Sequence, residues 1–104
     1  MCDEETTIHE IQIAVCKYYG VGFNELLSPR RLPRLVKARH VAMHLARDLT
    51  TASLPEIGRA FNRDHSTVIY AINHIDDQAQ VDIRCILAQF KKLRQDEAYN
   101  SLWF

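Results

Sequence analysis

Apolar residues recur every three or four positions along most of this chain, and nowhere alternate one by one. Residues 7–19, TIHEIQIAVCKYY, put Ile8, Ile11, Val15, Tyr18 and Tyr19 on one helical face. Gly20 and Gly22 punctuate the end of that helix. FNELL, 23–27, suits a single helical turn with Asn24 near its start. SPRRLPR then breaks the pattern with two prolines, and Pro33, which lacks a backbone donor, belongs in the first turn of a helix. From about Leu32 to Leu49 the apolar set is Leu35, Val36, Ala38, Val41, Ala42, Leu45, Ala46 and Leu49, one broad stripe. SLPEIGRAF opens with a capping box, Ser53 with Glu56, and carries Leu54, Ile57, Ala60 and Phe61 on its apolar side. NRD reads as a turn. Asp64 or Ser66 can cap the next helix, which Val68, Ile69, Ala71, Ile72 and Ile75 extend to about 77. A last helical spacing, Val81, Ile83, Ile86, Leu87, Phe90 and Leu93, either continues that helix or follows a bend near Asp76–Asp77.

The fold class is therefore all-α. A helical domain over 1–78 contains a helix-turn-helix, and an additional C-terminal helical extension over 79–104 packs on it or mediates contacts. A chain of 104 residues suffices for one modest core. Its longest apolar runs are too short to span a bilayer, and its start, MCDEETTIHE, is acidic where a signal peptide is basic. Cys2, Cys16 and Cys85 have no CxxC spacing, which favours reduced thiols in a cytoplasm, with Cys16 and Cys85 as buried filler.

Charge changes the picture more than composition does. The formal net charge is zero, but its distribution is not even. Residues 1–10 hold four acids and no base. Residues 28–65 hold eight arginines and lysines against three acids, and residues 76–104 are again slightly acidic. A basic middle block with neutral or acidic flanks is the footprint of a surface that meets a phosphate backbone. A solvated helix face has the same composition, so the charge needs a geometric partner.

RDHST, 63–67, supplies one. Arg, Asp and His side by side resemble catalytic material, but no Gly-rich loop or second acidic cluster accompanies them, and no enzymatic activity or cofactor is expected. His40 and His44 stand four apart on a helix, yet no third metal ligand is apparent, so no metal site is expected. A short helix, a tight turn and a second helix form a helix-turn-helix, whose second helix enters the major groove of DNA with its N-terminal end. Burying Val68, Ile72 and Ile75 leaves His65, Ser66, Ile69 and Tyr70 freer. There Asp64 can accept from a cytosine amino group, His65 and Ser66 can bond base edges, and Arg63 can bond a phosphate or a guanine.

Residues 30–75, RRLPRLVKARHVAMHLARDLTTASLPEIGRAFNRDHSTVIYAINHI, carry a resemblance. The RR lead, ARxxAMxLAR-LT, SLPEIGRAF and RDHSTV resemble, in order, the C-terminal DNA-binding domain of the bacterial replication initiator DnaA, and YYGVGFNELLS before them fits the same pattern. The likeness covers about residues 18–77. It implies that Asp64, His65 and Ser66 contact bases of a nine-base-pair box. Leu54 and Pro55 would touch a thymine methyl and backbone, and Arg31 would enter the adjacent minor groove. Arg39, His40, Arg47, Thr67 and Tyr70 match positions near phosphates. Departures bear on which box is preferred: Ser66 replaces the usual Thr, His40 the usual Gln, Pro33 a Ser or Arg, and FNRD is one residue shorter than FGGRD.

The chain lacks GxxxxGK[ST] and has only three glycines, so the ATPase portion of that initiator has no counterpart and ATP is not an expected ligand. The start at Met1 and the tail 79–104 favour a stand-alone relative. The expected partner is double-stranded DNA, in replication initiation control or transcriptional regulation, with a cytoplasmic, nucleoid-associated location. The rival is a protein-interaction or dimeric adaptor module that uses residues 79–104, where YNSLWF adds three aromatics.

Overall fold

The computed structural model describes the backbone of residues 6–102 and the side chains of residues 6–90. Among the described residues six helices follow one another: α1 (Ile8–Tyr19), α2 (Phe23–Leu27), α3 (Pro33–Leu49), α4 (Leu54–Ala60), α5 (His65–Asn73) and α6 (Asp77–Leu102). Among the described residues there is no strand, and no helix is long and apolar enough to cross a membrane.

Local chemistry sets the boundaries. Thr7 Oγ1 accepts from the Glu10 N–H at 3.1 Å and the Thr7 N–H donates to Glu10 Oε1 at 2.9 Å, which closes a capping box on α1. Gly20, at φ 68°, ends α1 in the left-handed region that a side chain would disfavour. Helix α2 spans FNELL as expected, with Asn24 its second residue; its N-cap is Gly22, whose N–H donates to Glu25 Oε1 at 2.9 Å. Pro33 occupies the first turn of α3, where its missing donor costs nothing. Ser53 and Glu56 form the second capping box, at 3.3 and 2.7 Å.

Helix α3 is the hub. It packs against each of the other five helices. Leu35, Ala38, Val41, Ala42, Met43, Leu45 and Ala46 are buried along it, and its alanines let neighbours approach closely. Ile11 and Val15 from α1, Leu26 from α2, Ile57 from α4, Phe61, and Val68 and Ala71 from α5 complete the core around it. Each large aliphatic or aromatic side chain buried there contributes roughly 1.5–3 kcal/mol.

Two expectations are corrected at the C-terminal side. The helical spacing predicts α5 to about residue 77, but α5 stops at Asn73. His74 leaves helical geometry, and Asp76 Oδ1 accepts from the Ala79 N–H at 2.8 Å to start α6. Ile75 is in helical phase because it packs on the core from the linker, not from the helix. Cys85 is exposed rather than buried, whereas Cys16 is buried and its thiol pKa is pushed up by that burial.

The first half of α6 shares the core of the preceding helices. Ala79, Ile83 and Ile86 are buried in it, and an expected boundary at 78/79 falls inside the first turn of α6. Asp82, only 5% exposed, fastens α6 to α1. The Tyr18 hydroxyl donates to its Oδ1 at 2.9 Å and the Tyr19 hydroxyl to its Oδ2 at 2.6 Å, while Gln78 Nε2 donates to Oδ1 at 3.2 Å. Burial alone would raise the Asp82 pKa. The bonds from Tyr19, Tyr18 and Gln78, with Lys37 nearby, outweigh it and hold the carboxyl below its ordinary range. The same bond raises Tyr18 to about 12. The side chains of YNSLWF and the residue Cys2 lie outside the described residues.

Candidate nucleic-acid interface

The turn between α4 and α5 is tight because two residues permit it. Gly58 lies under the returning chain: a Cβ there would sit 2.5 Å from the Arg63 carbonyl oxygen. The Arg63 N–H donates to the Gly58 carbonyl at 2.8 Å, so the approach is held by a hydrogen bond. Asn62 takes φ 58°, a left-handed conformation that Asn tolerates better than most residues. One Asn thus turns this corner.

Asp64 is the N-cap of α5, at φ −70° and ψ 157°, and this settles the choice between Asp64 and Ser66. Its carbonyl accepts from the N–H groups of Thr67 and Val68 at 3.0 and 3.3 Å, while its carboxylate makes no capping bond. Val68 and Ala71 face the core, which turns Asp64, His65, Ser66, Ile69 and Tyr70 outward. Thr67 is half-buried. Ile69 was singled out from the sequence only as freer; it is 41% exposed, four residues after His65 on the same face. An exposed isoleucine between polar neighbours offers an apolar contact on that face.

Beside this face lies a hollow of about 290 Å³. Arg31, Arg39, His40, Arg63, Thr67 and Tyr70 line it, together with Val36 and Met43. Six of the twelve candidate residues therefore meet at one place, drawn from the α2–α3 loop, α3, the turn and α5. Asp64, His65 and Ser66 stand next to it on the first turn of α5. Arg31 is exposed on its loop, whereas Arg30 is held by Glu25 at 3.4 Å. Arg47 is exposed in the last turn of α3, and Leu54 and Pro55 begin α4, half-buried and exposed respectively.

Arg39 is engaged inside the protein. It is 4% exposed, and its guanidinium is consumed by backbone carbonyls. Nε donates to Leu26 O at 2.7 Å, Nη1 to Arg30 O at 2.6 Å, and Nη2 to Ser28 O at 2.7 Å and Glu25 O at 3.0 Å. Five N–H groups in a planar fork suit this role, and a phosphate would have to compete with all four carbonyls. Burial, and then the nearby Arg63, lower its pKa from the ordinary arginine value.

Aromatic packing orders the far side of the hollow. The Tyr70 ring, 55% exposed, stacks on His74 with centroids 3.8 Å apart and planes at 12°, and meets His40 edge-on at 6.0 Å. His74 Nδ1 lies 2.8 Å from the Tyr70 carbonyl, which only accepts, so Nδ1 carries the proton. Burial lowers the His40 pKa, His74 and Arg39 lower it further, and Asp76 opposes them. His44 turns its Nε2 to Asp48 at 3.0 Å instead of pairing with His40.

The family model described as the bacterial DnaA protein helix-turn-helix matches residues 8–75. The chain belongs to that family. It is 46% identical over 94 residues to the chromosomal replication initiator protein DnaA of Brucella abortus, a match that covers 88% of this chain and 19% of the relative. It is 55% identical over 71 residues to DnaA of Bartonella quintana, covering 67% of this chain and 14% of the relative. It is 48% identical over 86 residues to DnaA of Streptococcus agalactiae, covering 76% and 19%. The chain thus spans less than a fifth of these initiators, and the DnaA match takes in α1 through α5, the whole scaffold of the hollow.

Proposed function

We propose that this chain binds double-stranded DNA at sites resembling a DnaA box, with α5 in the major groove and the loop of Arg31 at the adjacent minor groove. The observation that carries the reading is the outward first turn of α5 beside the basic hollow. Asp64, His65 and Ser66 offer an acceptor and two bonding groups at base-edge height, with Ile69 for a thymine methyl. Arg31, Arg47, Thr67, His40 and Tyr70 flank them on the phosphate side, and Leu54 and Pro55 present the start of α4 to the backbone. A helix N-terminus adds its own attraction for phosphate. Membership of a family named for replication initiators supports a role in replication initiation control, and regulation of transcription at the same boxes is the accompanying reading.

Selection of bound sequences from a random DNA pool tests it. The selected site should contain a nine-base-pair box and should outcompete scrambled DNA, with affinity falling steeply as salt rises. Equal affinity for the selected box and scrambled DNA sinks the reading. Mapping of occupied sites in cells then separates replication origins from promoters, and a fluorescent fusion should follow the nucleoid.

A further inference from the structure

Arg63 stands in the recognition turn, where a cation suggests a direct bond to DNA, yet its guanidinium is already committed. Nη1 donates to the carbonyls of Phe61 and Asn62, both at 3.2 Å, and Nη2 donates to Ser28 O at 2.7 Å, thirty-five residues away. Ser28 O also accepts from Arg39 Nη2 at 2.7 Å. One carbonyl at the root of the Arg31 loop is therefore gripped by two guanidiniums, one from α3 and one from the helix-turn-helix. Asn62 Nδ2 reaches Leu27 O at 3.5 Å and adds to the same junction. Burial first and the neighbouring Arg63 second disfavour the charge on Arg39, so the carbonyl contacts must compensate.

We propose that Arg63 and Arg39 are positioning residues that lock the loop carrying Arg31 to the recognition turn. They set the spacing between the minor-groove contact and the major-groove contact, so that the two are read as one site. Arg39 builds the loop, from Glu25 O to Arg30 O, and Arg63 fastens the finished loop to the turn. Lysine cannot substitute for Arg63 here. A single ammonium on a flexible stem cannot bridge Ser28 O and the turn carbonyls as the planar fork does, although it would keep a charge for a phosphate.

The inference rests on the DNA reading above, and Arg63 carries its test because Arg39 is too deeply built in for its variants to keep the fold. Wild type, Arg31→Ala, Arg63→Ala, Arg63→Lys and Arg31→Ala/Arg63→Ala are titrated by fluorescence anisotropy. The DNAs are the selected box and a set of boxes substituted at each base pair, with circular dichroism to establish folding. Wild type that does not discriminate box from scrambled DNA fails the underlying reading before this one is reached. Given discrimination, Arg63→Lys should lose affinity roughly 5- to 150-fold, the range of one lost base contact, and should lose selectivity at the same base pairs as Arg31→Ala. Selectivity under His65 and Ser66 should persist. The double variant should bind no more weakly than Arg31→Ala alone. Wild-type affinity in Arg63→Lys overturns the proposal, and so does additivity in the double variant. Should Arg63→Ala not fold, the Arg63→Lys pattern decides alone.

Discussion

On the proposed reading, single side chains on α5 set what the surface discriminates. Ser66 offers a hydroxyl without the methyl that Thr would add. Ser66→Thr should raise the preference for a thymine at its base pair by about 0.8 kcal/mol, one buried methyl's worth, or roughly fourfold in Kd. His65→Ala should cost about 1–3 kcal/mol on the selected box and leave binding to scrambled DNA unchanged, read by competition titration. His40 makes a prediction in pH. Its folded pKa lies below the ordinary value of about 6.5, so the unfolded chain binds the extra proton first. The domain should therefore lose stability as pH falls through about 6.5, and His40→Gln should flatten that part of the profile in thermal melts at pH 5–8. Side-chain identity at the α5 start was readable from RDHST alone. Arg39 was not, because helical spacing says that a residue leaves the apolar stripe but not whether four carbonyls wait for it there.

At the level of elements, the helix-turn-helix depends on how closely α4 and the returning chain approach. Gly58→Ala would place a methyl 2.5 Å from a backbone carbonyl that cannot swing away like a flexible side chain. The turn must shift, and the expected loss is about 1–3 kcal/mol of stability, measured by urea unfolding, with weaker box binding in the folded fraction. The helices were largely legible from the three- and four-residue spacing of their apolar positions, and two starts carried their own signal as well: Pro33 for α3, and Ser53 with Glu56 for α4. The end of α5 was not legible. Ile75 repeats the helical phase, while the break is made by the Tyr70–His74 stack and by the Asp76 cap, neither of which periodicity detects.

Across the whole molecule, a net charge of zero conceals a basic block, and only the fold shows that part of this block serves the interior. Arg39 and Arg63 tie chain segments together; Arg31 and Arg47 remain exposed. The fastening of α6 to α1 was also hidden, because Tyr18 and Tyr19 meet Asp82 from more than sixty residues away. Asp82→Ala should leave both hydroxyls in search of partners and cost about 1–3 kcal/mol in thermal or urea unfolding. In acid the sign is fixed by the lowered pKa: the carboxylate's contribution is complete above about pH 4 and is lost as pH falls through the lower folded value.

Because α3 touches all five of its neighbours, no helix can detach without disturbing the same buried strip. Amide hydrogens in the middle of α3 should then exchange only through complete unfolding, as the slowest in the chain. A ligand held by α5 raises the free energy of that one opening, and so slows exchange in α1 as well, a helix that α5 does not touch.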